Sequence, residues 1–74
     1  MTDISINFMI ESITKDLILL LMEDRGMTMS EAFNSLYMSE TYAKLKNQET
    51  GLYSQSTPYI YEYLIKEITT GKIS

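Results

Sequence analysis

Residues 4–22 carry apolar side chains on two faces of one helix, and this constrains the fold more than any other feature of the chain. Ile6, Met9, Ile10, Ile13, Leu17, Leu20 and Leu21 recur at three- and four-residue steps, the spacing of a single helical stripe. Ile4, Phe8, Ile18, Leu19 and Met22 fall on the opposite side. The last two turns are therefore apolar all round, which calls for a central helix covered on more than one side. The pattern predicts a helix over about residues 4–24. Asp3 is the expected cap at its start. Arg25 and Gly26 fit its end, a cation near the last carbonyls followed by a residue free to turn left-handed. Glu11, Lys15 and Asp16 interrupt the stretch, and its unbroken apolar run, 17–22, is six residues. A membrane-spanning helix needs roughly 18 apolar residues, so no membrane partner is expected.

The rest of the chain must cover that helix with little material. A domain of this size buries only about 60% of the surface its unfolded chain exposes. There is no cysteine and no histidine among the 74 residues, so disulfides and ordinary zinc sites cannot reinforce it. Stability is expected from helix packing or from self-association. The lack of cysteine, and an acid at position 3 where a secretory leader would be basic, fit a cytoplasmic protein. The net charge of −4 is uneven: residues 1–37 carry six acids against Lys15 and Arg25, whereas residues 38–74 carry four acids and four lysines. An acidic balance opposes phosphate contact and disfavours a nucleic-acid partner.

Three further helices are predicted. Thr28 and Glu31 form a capping box opening a helix over 29–38, with Met29, Ala32, Phe33 and Leu36 as its buried stripe and Glu31, Asn34 and Ser35 facing away. Ser39 opens a short helix over 40–47, with Tyr42 and Leu45 one turn apart. Residues 47–51 are polar and break it, and Leu52 and Tyr53 are expected to anchor the linker. Pro58 suits the first position of a last helix over 58–70, with Thr57 as cap and Gly71 as stop. Ile60, Tyr61, Leu64, Ile65 and Ile68 form its core stripe. No strand-like alternation or repeat is present. The expected architecture is a single all-α domain over residues 1–74, a compact bundle of three main helices and one short one.

No catalytic constellation emerges. Ser12 and Lys15 have the Ser-x-x-Lys spacing of penicillin-binding enzymes, but the partner motifs are absent and the chain is far too short for that fold. Tyr42 and Lys46 have the Tyr-x-x-x-Lys spacing of short-chain dehydrogenases, without a glycine-rich turn or a strand. Glu23 and Asp24 are adjacent carboxylates that diverge on a helix, and a hard cation wants about six oxygens. No cofactor and no metal is expected. The segment 28–45 has the outline of a helix-turn-helix whose recognition helix would carry Lys44 and Lys46, but it lacks the arginine that normally reads guanine.

The six tyrosines, all beyond residue 36, offer the remaining candidates. Tyrosine is enriched at protein interfaces and at their energetic centres. Helical phasing sends Tyr61 to the core stripe. It places Tyr59 and Tyr63, four residues apart, on the opposite face beside Glu62, Lys66 and Glu67, where they would stack on each other.

The stretches SETYAKL at 39–45, ETGLY at 49–53 and YIYEYLIKE at 59–67 resemble a family of short bacterial all-helical domains of unknown function, common in gut anaerobes. The resemblance covers most of residues 13–68 and rests on packing residues. It implies an all-α fold. Similar domains are sometimes encoded beside larger proteins resembling ADP-ribosyl-transferring toxins, which implies an antitoxin-like or accessory role. The expected function is a non-enzymatic protein-interaction module, contacting an unknown protein partner through Tyr59, Tyr63 and Lys66. Self-association as a homodimer is expected through Ile4, Phe8, Ile18, Leu19 and Met22. The alternative is a small helix-turn-helix-like nucleic-acid-binding regulator.

Overall fold

The computed structural model describes residues 2–71, and the side chains of residues 5–71. Helix α1 spans Thr2–Arg25, α2 Met29–Tyr37, α3 Glu40–Lys46 and α4 Thr57–Thr70. Two single-turn 3₁₀ segments, Gln48–Thr50 and Leu52–Ser54, join α3 to α4. Helix α1 already includes Asp3, so Asp3 is not the cap that precedes it, and the expected role of Ile4 in self-association lies outside the described side chains. The all-α bundle is as the periodicity predicts.

Helix α1 is the axis of the molecule. Its 24 residues, at about 1.5 Å each, match the 37 Å longest dimension. Helices α2 and α4 pack directly on it, and α3 bridges those two. Ile10, Ile13, Leu17 and Leu21 of α1 are buried against Ala32 and Leu36 of α2, Leu45 of α3, and Ile60 and Leu64 of α4. Gly26 ends α1 at φ 68, the left-handed region that a β-carbon penalises. No described helix is long and apolar enough to cross a membrane.

The covering of α1 differs from its simple two-face division. Ile18 is buried in the core and Met22 packs against it, so neither belongs to a free outer face. Because α1 is flanked by helices on two sides, its buried sector is wider than one stripe, and these two residues lie inside it. Conversely Met9 and Met29 reach solvent. Met29 sits in the first turn of α2, where the chain is only entering the packed layer.

The helix starts show how local chemistry sets boundaries. In α2 the Thr28 hydroxyl accepts the Glu31 amide at 3.1 Å and the Glu31 carboxylate accepts the Thr28 amide at 3.0 Å, the reciprocal capping box. The last helix begins one residue earlier than its proline implies. Ser56, not Thr57, is the cap: its hydroxyl accepts the Tyr59 amide at 3.3 Å and its carbonyl accepts the Ile60 amide at 3.1 Å. That arrangement satisfies the two donors that follow Pro58, which has none of its own. Gly71, at φ 90, closes α4 by donating to the Glu67 carbonyl.

Helix α3 has seven residues and could not persist alone, since isolated helices shorter than about 12 residues are marginal. Its amino end is completed from another helix. Glu67 of α4 accepts the amide of Glu40 at 2.7 Å on one oxygen, and the amide and hydroxyl of Thr41 at 3.0 and 2.9 Å on the other. The Ser39 hydroxyl takes the Tyr42 amide at 3.1 Å, and the Ser39 amide itself donates to the Leu36 carbonyl. All four donors that a helix start leaves without an intrahelical partner are thus satisfied. A carboxylate here is also favoured by the positive end of the helix dipole. Glu67 therefore faces inward to α3, not outward beside Tyr59 and Tyr63.

Candidate partner-binding face

Helix α4 displays the two tyrosines that the phasing sends outward. Tyr59 and Tyr63 are 44% and 38% exposed. Their rings meet edge to face, with centroids 5.3 Å apart and planes at 79°, an arrangement that aromatic quadrupoles favour. Their hydroxyls lie 3.4 Å apart. That contact, followed by the nearness of the second phenol, raises the Tyr59 pKa above its ordinary value. Two hydroxyls sharing one contact leave one O–H to donate outward.

The pair forms one wall of a cleft of about 250 Å³. Thr41 and Lys44 of α3 form the opposite wall, and Leu52 and Gln55 of the linker close it. Leu52 and Tyr53 pack against the core, so the linker is anchored as expected. On the far side of Tyr63, Glu62 and Lys66 border a second hollow of about 200 Å³. Lys66 is thus adjacent to the tyrosines but outside the main cleft.

No family model, curated protein or solved structure matches this chain. The chemistry of the face is therefore the ground for any functional reading.

The remaining tyrosines are positioned by partners that spacing alone does not reveal. Tyr61 is half-buried and its hydroxyl donates to Asp24 at 2.8 Å, tying α4 to the end of α1. Burial, with the Asp24 carboxylate beside it, pushes the Tyr61 phenol up to about 12. Tyr37 joins Phe33, edge to face at 5.2 Å, to Tyr42, stacked at 4.9 Å. Lys46 holds its ammonium 5.5 Å from the Tyr42 ring centroid. The Tyr42–Lys46 spacing thus serves a cation–π contact on the ring face. The Phe33–Tyr37–Tyr42 series lies outside the sequence expectations; the signal for it is the four-residue step from Phe33 to Tyr37.

The other motifs are dispersed. Ser12 and Lys15 are both exposed on α1. Asp24 is engaged by Tyr61, and no group of three or more metal-ligating residues occurs among the described residues. Of the expected self-association face, Phe8 at 72% and Leu19 at 46% exposure remain. They are eleven residues apart, about 16 Å along the helix, with the exposed Ser12 and Lys15 between them.

Proposed function

We propose that this chain is a non-enzymatic protein-interaction module whose contact face is built on Tyr59 and Tyr63, with Lys66 at its rim. The observation that carries this reading is the exposed edge-to-face tyrosine pair standing over a cleft between α3 and α4. Buried aromatic anchors beside a pocket are the usual energetic centres of protein interfaces. The face is rigid on its own account: both tyrosines are on a helix and lean on each other, so little side-chain freedom is lost on binding. An accessory or antitoxin-like subunit is the setting in which such a module would act.

The test is co-purification from the native cell with the chain carrying Tyr59→Ser and Tyr63→Ser together. A partner recovered with the wild type and lost with the double variant, at unchanged thermal stability, supports the reading. Equal recovery would refute it.

A homodimer is a second proposal, favoured by Phe8, whose ring is mostly in solvent next to the exposed Met9. The nucleic-acid alternative is the weaker one. A recognition helix presents its amino-terminal residues to base edges, and that end of α3 carries Glu40 and is closed by the Glu67 carboxylate.

A further inference from the structure

We propose that the cleft between α3 and α4 receives an acidic side chain of the partner protein, a glutamate or aspartate flanked by an apolar residue. This rests on reading the tyrosine face as the contact surface, and it names what that surface recognises.

The donor inventory of the cleft points to an anion. Lys44 is the one charged side chain in its lining, and no carboxylate is among the lining residues. Among the described residues Lys44 forms no ion pair. Gln55 adds an amide that can donate two hydrogens, and the tyrosine pair has one O–H to spare. Of the acids near the cleft, Glu67 has its oxygens committed to Glu40 and Thr41, so its charge is offset by the donors of α3, and Glu40, one turn before Lys44, is not among the lining residues. Glu62 and Lys66 lie together in the neighbouring hollow, outside the cleft. The net negative charge of the chain resides in residues 1–37, whereas the half that builds this cleft is balanced. An acidic ligand therefore meets no carboxylate among the residues that line the cleft.

The same inventory selects a side chain over a chain terminus. Terminal carboxylates are usually captured by nests of backbone N–H groups. Here the amides of the linker residues that line the cleft are spent internally: Thr50 on the Asn47 carbonyl, Gly51 on the Gln48 carbonyl, Leu52 on the Thr50 hydroxyl and Gln55 on the Leu52 carbonyl. Recognition must come from the side chains of Lys44, Gln55 and the tyrosines. Leu52 and the ring faces of Tyr59 and Tyr63 supply the apolar surface for the flanking residue.

The experiment uses the full chain, isotope-labelled, titrated with a capped Gly-Leu-Glu-Phe-Gly peptide and with the same peptide bearing glutamine for glutamate. The expected result is saturable shifts of the Gln55 side-chain amide and of the Lys44 resonances with the acidic peptide only. Lys44→Gln is expected to weaken binding about tenfold, the scale of losing a charge-assisted hydrogen bond, and added salt to weaken it further. Equal response to both peptides, or none at millimolar concentration, overturns the proposal. The same shifts produced by unlabelled protein instead of peptide would make the occupant a second copy and overturn it too. In the co-purification assay, loss of the partner with the double tyrosine variant but full recovery with Lys44→Gln would defeat the carboxylate proposal and leave the interaction face standing. Full recovery with both variants would defeat the two together.

Discussion

Removing the Glu67 carboxylate should destabilise the fold well beyond what its position on a partly exposed helix face suggests. The side chain accepts three hydrogen bonds from the first two residues of α3. The Glu40 amide is exposed and water can replace its partner. Thr41 is 1% exposed, so its hydroxyl and amide have no such recourse. Leaving buried donors unsatisfied costs about 1–3 kcal/mol, and the lost charge at the helix start adds roughly 0.5 kcal/mol. Glu67→Ala is therefore expected to cost about 2–3 kcal/mol, a large share of the ~4–11 kcal/mol typical of a chain this long. Glu67→Gln keeps one acceptor for Thr41 but turns an amide N–H₂ toward the Glu40 donor, so about half that loss is expected. Urea denaturation followed by circular dichroism measures both. Native-state hydrogen exchange should show faster exchange at the Glu40, Thr41 and Tyr42 amides before the rest of the chain. Thr41→Val and Glu67→Ala remove the same interaction, so in combination they should cost less than their sum. A loss below about 0.5 kcal/mol for Glu67→Ala, or simple additivity of the pair, would refute the idea that this carboxylate completes α3.

Three other outcomes follow from the geometry. Tyr61 holds its proton to about pH 12 in the fold against 10.0 ordinarily. A raised folded-state pKa contributes stability that is full below pH 10 and lost as pH climbs toward 12. Its size is about 1 kcal/mol once solvent screening is allowed for, and Tyr61→Phe should flatten that part of the stability–pH curve. Gly26→Ala forces a side chain into a positive-φ position, φ +68, with open space around the new carbon. The expected cost is backbone strain alone, about 1 kcal/mol by thermal melting. Phe8→Ser should shift any concentration-dependent sedimentation of the chain to the monomer without lowering its melting temperature; an unchanged dimer would remove Phe8 from the interface.

Elements governed by neighbours three or four residues away were legible from the sequence. The Thr28–Glu31 capping box, the Ser39 cap, the stops at Gly26 and Gly71 and the outward Tyr59–Tyr63 pair all depend on local spacing. Contacts between helices were not. Thr41 and Glu67 are 26 residues apart, and nothing in either segment signals that a carboxylate on α4 is needed at the start of α3. A helical wheel places Ile18 and Met22 on a free face because it cannot show how widely two neighbouring helices wrap a third. The cap of α4 shifted from Thr57 to Ser56 because the run of hydroxyl residues before Pro58 offers more than one candidate, and only the donors beyond the proline decide between them. Within the candidate site the tyrosines could be read from phasing. The α3 wall with Lys44, and Gln55 closing the cleft, depend on the path of the linker.

The bond between Glu67 and α3 also has a consequence for the order in which the chain can form. Helix α3 precedes α4 in the sequence, yet its first turn is finished by a residue near the end of α4. During synthesis α1 and α2 can meet as soon as both have emerged, because their contacts and caps lie within the first 37 residues. Helix α3 has to wait for α4. A nascent chain halted before residue 67 should hold a formed α1–α2 hairpin and an unformed α3, so the cleft between α3 and α4 takes shape only once Glu67 has been added.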